Sequence, residues 1–213
     1  MPSEITARLA SRSALAGLVV SSAVGDRLVA YYELLQRWNR KINLTSLSNP
    51  DEAIDRLLLE PIAAAAVLPQ SPRLIDLGSG GGSPAIPLAL MLSARLLVMV
   101  ESRSRKAAFL REAVRELGLT ATVENARFEQ VVLRADYCGA MDLVSVRAVR
   151  INSETLSAAA ACLSSGGRVA LFHTAAAQMA ELPVELSIVT TVPLLHRSTL
   201  TVLLSRDVPR GTL

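Results

Sequence analysis

The sequence predicts an α/β fold: a mostly parallel seven-stranded sheet with helices on both faces, an antiparallel C-terminal hairpin and a helical N-terminal extension. Three observations predict it. From Arg73 onward, short apolar runs over 74–77, 96–100, 120–123, 143–146 and 168–172 alternate with helical patterns over 84–93, 103–117 and 153–163. Two further runs, 186–192 and 199–204, have too few residues between them for a helical crossover, so they should pair antiparallel. The first seventy residues read as helices.

Taken in order, the extension opens with Arg8 and Arg12 before the apolar run Ala14-Leu15-Ala16-Gly17-Leu18-Val19-Val20, with Ala23-Val24-Gly25 placed like a cleavage site. The run is short and Ser11 and Ser13 dilute its start, so it reads as a docking helix and not as a signal peptide. Leu28, Tyr31, Leu35 and Trp38 then follow a helical stripe. A turn-rich break spans 43–50. Asn49-Pro50-Asp51-Glu52 resembles a helix start, with a capping side chain, a first-turn proline and acids near the positive end of the dipole. That helix should run to about Val67, before Pro69. The expected division is a helical extension over 1–70 and an α/β domain over 71–213, together one compact unit. Arg95 interrupts the longest apolar region, so no membrane span is expected.

Half of the 213 residues are hydrophobic, enough for a sizeable core, and only 3% are aromatic, which disfavours platforms of stacked aromatics. Net charge is +3. Only Lys41 and Lys106 are lysines, and this arginine bias reads as base composition before it reads as ligand binding. Two cysteines, Cys138 and Cys162, without a CxxC spacing, and two histidines, His173 and His196, leave little material for a metal site or a disulfide framework. No metal is expected, and a reduced, cytoplasmic compartment fits.

Four segments carry candidate chemistry. The first is Asp76-Leu77-Gly78-Ser79-Gly80-Gly81-Gly82, between a strand and a helix. Gly78, Gly80 and Gly82 allow a sharp turn with a ligand lying against bare backbone. The dinucleotide pattern needs a third glycine where this chain has Ser83, and Gly-x-Gly-x-Gly with an acid two residues upstream fits better. The second is Glu101, at the end of the next strand, where an acid can accept both hydroxyls of an adenosine ribose or simply cap a helix. The third is Asn125-Ala126-Arg127-Phe128-Glu129, in the loop that lies over an adenine in this architecture. Phe128 could pack on the ring and Glu129 meet the exocyclic amine, although the pattern alone favours an ordinary helix start. The fourth is Arg147, just past the fourth strand, on the ligand-binding edge of an open sheet; it is either functional or a surface ion pair. An exposed cleft wall is expected there, where truncation changes stability by less than about 0.5 kcal/mol.

A parallel sheet ending in an antiparallel hairpin is the layout of class I (Rossmann-like) methyltransferases, and a nicotinamide-binding domain lacks that hairpin. The four segments, in this order and together with Leu35-Gln36-Arg37-Trp38-Asn39-Arg40-Lys41-Ile42-Asn43-Leu44-Thr45, resemble the GidB/RsmG family, which makes 7-methylguanosine in small-subunit ribosomal RNA. The resemblance covers roughly 31–171. It implies S-adenosyl-L-methionine as cofactor, with Gly78, Ser83, Phe128, Glu129 and Arg147 at cofactor-contacting positions beside Gly80, Gly82 and Glu101. Arg127 and Arg147 become candidate catalytic, substrate-contacting residues. Small-subunit ribosomal RNA or the small-subunit particle is the implied partner, with no membrane, for a monomer. Six residues at four sites depart from the family pattern: Leu57 replaces a histidine, Glu60-Pro61 an aspartate-serine pair, Ala85 a glycine and Phe172-His173 a lysine-glycine pair. They leave open a different substrate, or a cofactor-binding RNA-interaction or assembly module without activity. Arg37, Arg40, Lys41 and Arg56 read equally as phosphate contacts and as a solvated helix face.

Overall fold

The computed structural model describes residues 3–174 and 181–206. Helix α1 (Glu4–Leu15) starts at Ser3, whose hydroxyl accepts from the Thr6 amide. It docks through buried Leu9 and through Arg8 and Arg12, which pair with Asp51 and Asp55. The apolar run expected to form a docking helix forms no helix of its own, although its Ala16, Leu18 and Val20 pack against the core. It begins in the last residues of α1 and leaves Leu15 and Val19 exposed, because buried Leu9 and Ser13 and the two arginines occupy the contact face. Helix α2 (Ser22–Asn39) buries Leu28, Tyr31 and Leu35 of its stripe, and Trp38 meets Phe109 edge to face, 5.9 Å between centroids.

Helix α3 (Pro50–Ile54) begins at the expected cap: the Asn49 side chain accepts from the amides of Asp51 and Glu52. The single helix expected to reach about Val67 is interrupted by a π-helical turn, Asp55–Leu59, before α4 (Glu60–Ala65). Its cause lies in the sequence. Pro61 has no N–H to give, and the Glu60 amide bonds five residues back, to the Asp55 carbonyl.

The α/β region runs β1 (Arg73–Leu77), α5 (Ala85–Met91), β2 (Leu96–Val100), α6 (Ser104–Leu117), β3 (Ala121–Glu124), α7 (Phe128–Val131), β4 (Met141–Arg147), α8 (Ser153–Cys162), β5 (Leu163–Thr174), β6 (Leu186–Pro193) and β7 (Ser198–Ser205). A short 3-10 turn, Leu195–Arg197, links the last two strands. The sheet order is β3-β2-β1-β4-β5-β7-β6. β1 to β5 are mutually parallel, and β7 is antiparallel to both β5 and β6. This is the parallel sheet with an antiparallel hairpin that the sequence predicts. Several strands are longer than their apolar runs: β4 takes in Arg147, and β5 starts directly where α8 ends.

Parallel strands covered on both faces are apolar throughout. Leu74, Leu97 and Leu143 point into one cluster with Leu28, Tyr31 and Leu35 of α2 and Phe109 of α6, while Ile75, Val98 and Val144 point into the other with Leu156 of α8. The helices of the first seventy residues thus pack into the core on one face of the sheet. No helix among the described residues is long and apolar enough to cross a membrane.

Candidate cofactor and substrate cleft

The carboxyl ends of β1, β2 and β4 converge on one edge of the sheet, the side where open α/β sheets bind ligands. The chain leaves β1 into the glycine loop. The amides of Gly78 and Ser79 both donate to the Val100 carbonyl at 2.9 Å, tying the loop to the end of β2. Glu101 follows directly. Its Oε2 accepts from the Gly80 amide at 2.9 Å and its Oε1 from the Arg103 amide at 2.7 Å. One buried carboxylate therefore holds both the loop and the entry to α6.

Gly78, Gly80 and Gly82 have φ of +81°, +53° and +87°, a region that side chains with a Cβ avoid. Their surroundings differ. A Cβ on Gly80 would meet only the Gly78 carbonyl, at 3.8 Å, so the space beside it is open. A Cβ on Gly78 would lie 2.5 Å from Val149 Cγ2. One on Gly82 would lie 2.8 Å from Ile86 and 3.3 Å from Leu110 and Tyr31. Gly80 faces the cleft, whereas Gly82 lets the core approach the backbone.

The extension supports this loop from behind. Buried Tyr31 donates its hydroxyl to the Gly81 carbonyl at 2.6 Å. Asn39 organises the segment in front: its Oδ1 accepts from the amides of Leu44 and Thr45 at 2.8 and 2.9 Å, and its Nδ2 donates to the Thr45 carbonyl. That gives the asparagine and the Asn43-Leu44-Thr45 stretch a physical reason to occur together. The side chain folds residues 44–47 into the wall of the cleft.

Below the loop lies Asp76, almost fully buried, with Oδ1 accepting from the Ser145 hydroxyl on β4 at 2.5 Å. Burial raises its pKa to about 6, against the opposing effect of the Ser145 hydrogen bond.

Arg147 departs from the sequence expectation. It is the last residue of β4, and its side chain is only 14% exposed. Nη2 pairs with Glu60, which is fully buried, and Nη1 donates to the Arg56 carbonyl at 2.6 Å and to Ser83 Oγ at 3.3 Å. Its Cζ lies 5.1 Å from the centroid of the Phe172 ring. Burial lowers its pKa to about 10, so it stays charged at neutral pH. The exposed wall with a truncation cost below about 0.5 kcal/mol is therefore corrected: Arg147 balances a carboxylate that has no other charge partner among the described residues.

The cleft so formed has a volume of about 540 Å³, within the range of small-molecule sites. It brings together Gly78, Gly80, Ser83, Glu101, Phe128 and Arg147 with the cations Arg56, Arg103 and Lys106. Ser83 is anchored there by donating to the Leu57 carbonyl at 2.8 Å. Three other candidates are placed differently. Gly82 packs inward, Arg127 is 74% exposed, and Glu129 lies 3.6 Å from Arg127 with its Oε2 shielded from water and without a hydrogen bond. Tyr31 and Glu60 support the cleft without having been candidates. Tyr31 had shown only as a member of an apolar stripe, and Glu60 only as a departure from a family pattern. No group of three or more histidine, cysteine, aspartate or glutamate side chains placed to hold a metal occurs among the described residues.

The model of the GidB family, rRNA small subunit methyltransferase G, matches residues 25–199. The chain is 42% identical over 129 residues to a ribosomal RNA small subunit methyltransferase G of Azoarcus sp. strain BH72, covering 58% of this chain and 61% of that one. It is 33% identical over 186 residues to the Chromohalobacter salexigens protein of the same description, covering 86% of each. Among solved structures, the O-methyltransferase TomG of Streptomyces achromogenes, determined in complex with SAM, is 16% identical with a TM-score of 0.62, covering 96% of this chain and 99% of that one. At that identity the likeness speaks for the fold. By the family match and the Chromohalobacter alignment, the chain belongs to the GidB family of rRNA small subunit methyltransferases.

Proposed function

We propose that this protein transfers the methyl group of S-adenosyl-L-methionine to N7 of a guanine in small-subunit ribosomal RNA, in the cytoplasm. Family membership supports the reaction class. The observation that carries the reading is the open space at Gly80 directly beside the Glu101 carboxylate. These residues fit the cofactor. The loop leaves room against bare backbone, Glu101 keeps lone pairs for ribose hydroxyls beyond its two amide contacts, and Phe128 offers a ring face within the same cleft.

When bound, the cofactor supplies a methyl group on a sulfonium. Guanine N7 carries no proton, so the site needs no general base, and the cleft fits that economy. Glu101 is the only carboxylate among the described residues that line it, and both its oxygens are held by backbone amides. The work left to the protein is orientation, which can supply many orders of magnitude in rate. The Gly80 face and Glu101 seat the donor, and Ser83 and Arg147 fix the opposite wall. The Arg103 and Lys106 side chains on the rim are placed to meet phosphates of the RNA.

Two measurements test this. Isothermal titration should show S-adenosylmethionine binding and no NADH binding. RNA mass spectrometry of a strain lacking the protein should show 7-methylguanosine missing from small-subunit RNA relative to its parent. An unchanged modification profile would sink the substrate assignment.

A further inference from the structure

Two residues that depart from the family pattern, Glu60 and Pro61, meet Arg147 through different atoms. Glu60 is fully buried and pairs with Arg147 Nη2, while its other oxygen, Oε1, is buried without a hydrogen bond. Pro61 acts through the backbone. In a regular helix the Arg56 carbonyl accepts from the amide of residue 60 and the Leu57 carbonyl from that of residue 61. Here the Glu60 amide is given to Asp55, and Pro61 has no N–H. The Arg56 carbonyl accepts from Arg147 Nη1 at 2.6 Å, and the Leu57 carbonyl accepts from the Ser83 hydroxyl at 2.8 Å. Ser83 Oγ in turn lies 3.3 Å from Arg147 Nη1. Phe172, a third departure, lies 5.1 Å from the guanidinium carbon.

We infer that Glu60 and Pro61 are positioning residues, which together hold the Arg147 guanidinium as a fixed, charge-compensated wall of the cleft. The inference rests on the cleft being the cofactor site proposed above. Arg147 then offers hydrogen-bond geometry to a ligand and little net charge, because Glu60 balances it at contact distance. Electrostatic capture of RNA falls to the rim cations Arg103 and Lys106. The π-helical turn is the means by which a helix releases two carbonyls to serve a site outside itself.

The test compares wild type with Pro61→Ala, Glu60→Gln and Glu60→Asp. It uses four readouts: thermal midpoint, S-adenosylmethionine affinity by calorimetry, kcat and KM on small-subunit RNA, and nitrogen-15 NMR of the arginine guanidinium groups. Pro61→Ala restores an amide and a better helix former, so the helix can reclaim both carbonyls. Its expected result is an equal or higher midpoint, faster Arg147 guanidinium exchange, and cofactor affinity or kcat lower by about tenfold or more. A purely structural role would move the midpoint and leave the other readouts alone. Glu60→Asp should recover part of what Glu60→Gln loses, and if Glu60→Gln does not fold, Pro61→Ala carries the test. A folded Pro61→Ala protein with wild-type guanidinium exchange, affinity and rate overturns the inference. Wild type that fails to bind S-adenosylmethionine overturns the reading of the cleft instead.

Discussion

Tyr31 of α2 and Gly81 of the glycine loop are fifty residues apart in sequence and joined by a 2.6 Å hydrogen bond from phenol to carbonyl. The bond fixes the back of the loop to a helix of the N-terminal extension. Tyr31→Phe keeps the ring and removes the donor, leaving a half-buried carbonyl without its partner. We expect a stability loss of about 1–3 kcal/mol in denaturant titration, together with weaker S-adenosylmethionine binding. Unchanged binding in the folded variant would confine Tyr31 to core packing.

The glycines should separate by role. Gly80→Val projects into open space but must hold φ +53°, so it costs stability through backbone strain alone, and cofactor binding by the folded variant should be at least tenfold weaker, about 1.4 kcal/mol, by calorimetry. Gly78→Ala places a methyl 2.5 Å from Val149 in a left-handed conformation and should lower the thermal midpoint markedly. Wild-type cofactor affinity in a folded Gly80→Val protein would contradict this division.

Glu101→Gln tests the carboxylate that holds two amides. An amide side chain offers one acceptor oxygen where two are in use, so its NH2 group must face a backbone N–H. Cofactor binding should weaken by roughly 1.5–3 kcal/mol, and the loop amides should exchange faster with solvent. The two amide contacts predict a measurable stability cost as well.

Asp76 makes stability depend on pH. Its folded pKa of about 6 lies above the ordinary 3.8, so the folded state holds the proton more tightly than the unfolded chain. Its contribution is complete below pH 4 and is lost as pH rises through about 6, on the order of 2–3 kcal/mol. Asp55 works oppositely. Burial alone would raise its pKa, but hydrogen bonds from Arg12 and His196 outweigh it and hold the pKa below 3.8. That contribution is present above pH 4 and lost on further acidification. Asp76→Asn should therefore remove the decline between pH 4 and 6 in thermal midpoints and raise stability at neutral pH. A wild-type slope that survives in the variant would assign it to other groups.

Arg147→Ala should be costly. It strands Glu60, which is fully buried, and such broken pairs cost about 3–5 kcal/mol. A midpoint within a degree of wild type would mean that water or another cation reaches Glu60.

What could be read from the sequence was what local pattern encodes. The runs at 74–77, 96–100 and 143–146 announce strands because both faces of a parallel sheet are buried, and Asn49 announces a cap because its side chain bonds within three residues. The glycine loop and Glu101 were legible for the same reason, lying at the ends of adjacent strands. Arg147 could be placed at the sheet edge, but its burial could not, since Glu60 lies 87 residues away. The Tyr31 hydroxyl was hidden in a stripe that explains the ring and not its oxygen. The π-helical turn was missed because Pro61 at a first-turn position of α4 looks like an ordinary helix start, and nothing local shows that the carbonyls left free before it meet Arg147 and Ser83.

The place of β7 between β5 and β6 also sets an order of assembly. Phe172, the ring beside Arg147, lies opposite Leu200 of β7, so that wall of the cleft is backed by a strand made after both β5 and β6. A chain stalled before Ser198 would carry the glycine loop and Glu101, yet β5 would be an open edge and β6 would have no neighbour. Synthesis thus delivers the glycine-loop side before β7 can seal the Arg147 side, and the sheet without β7 is a stage exposed to pairing with other chains.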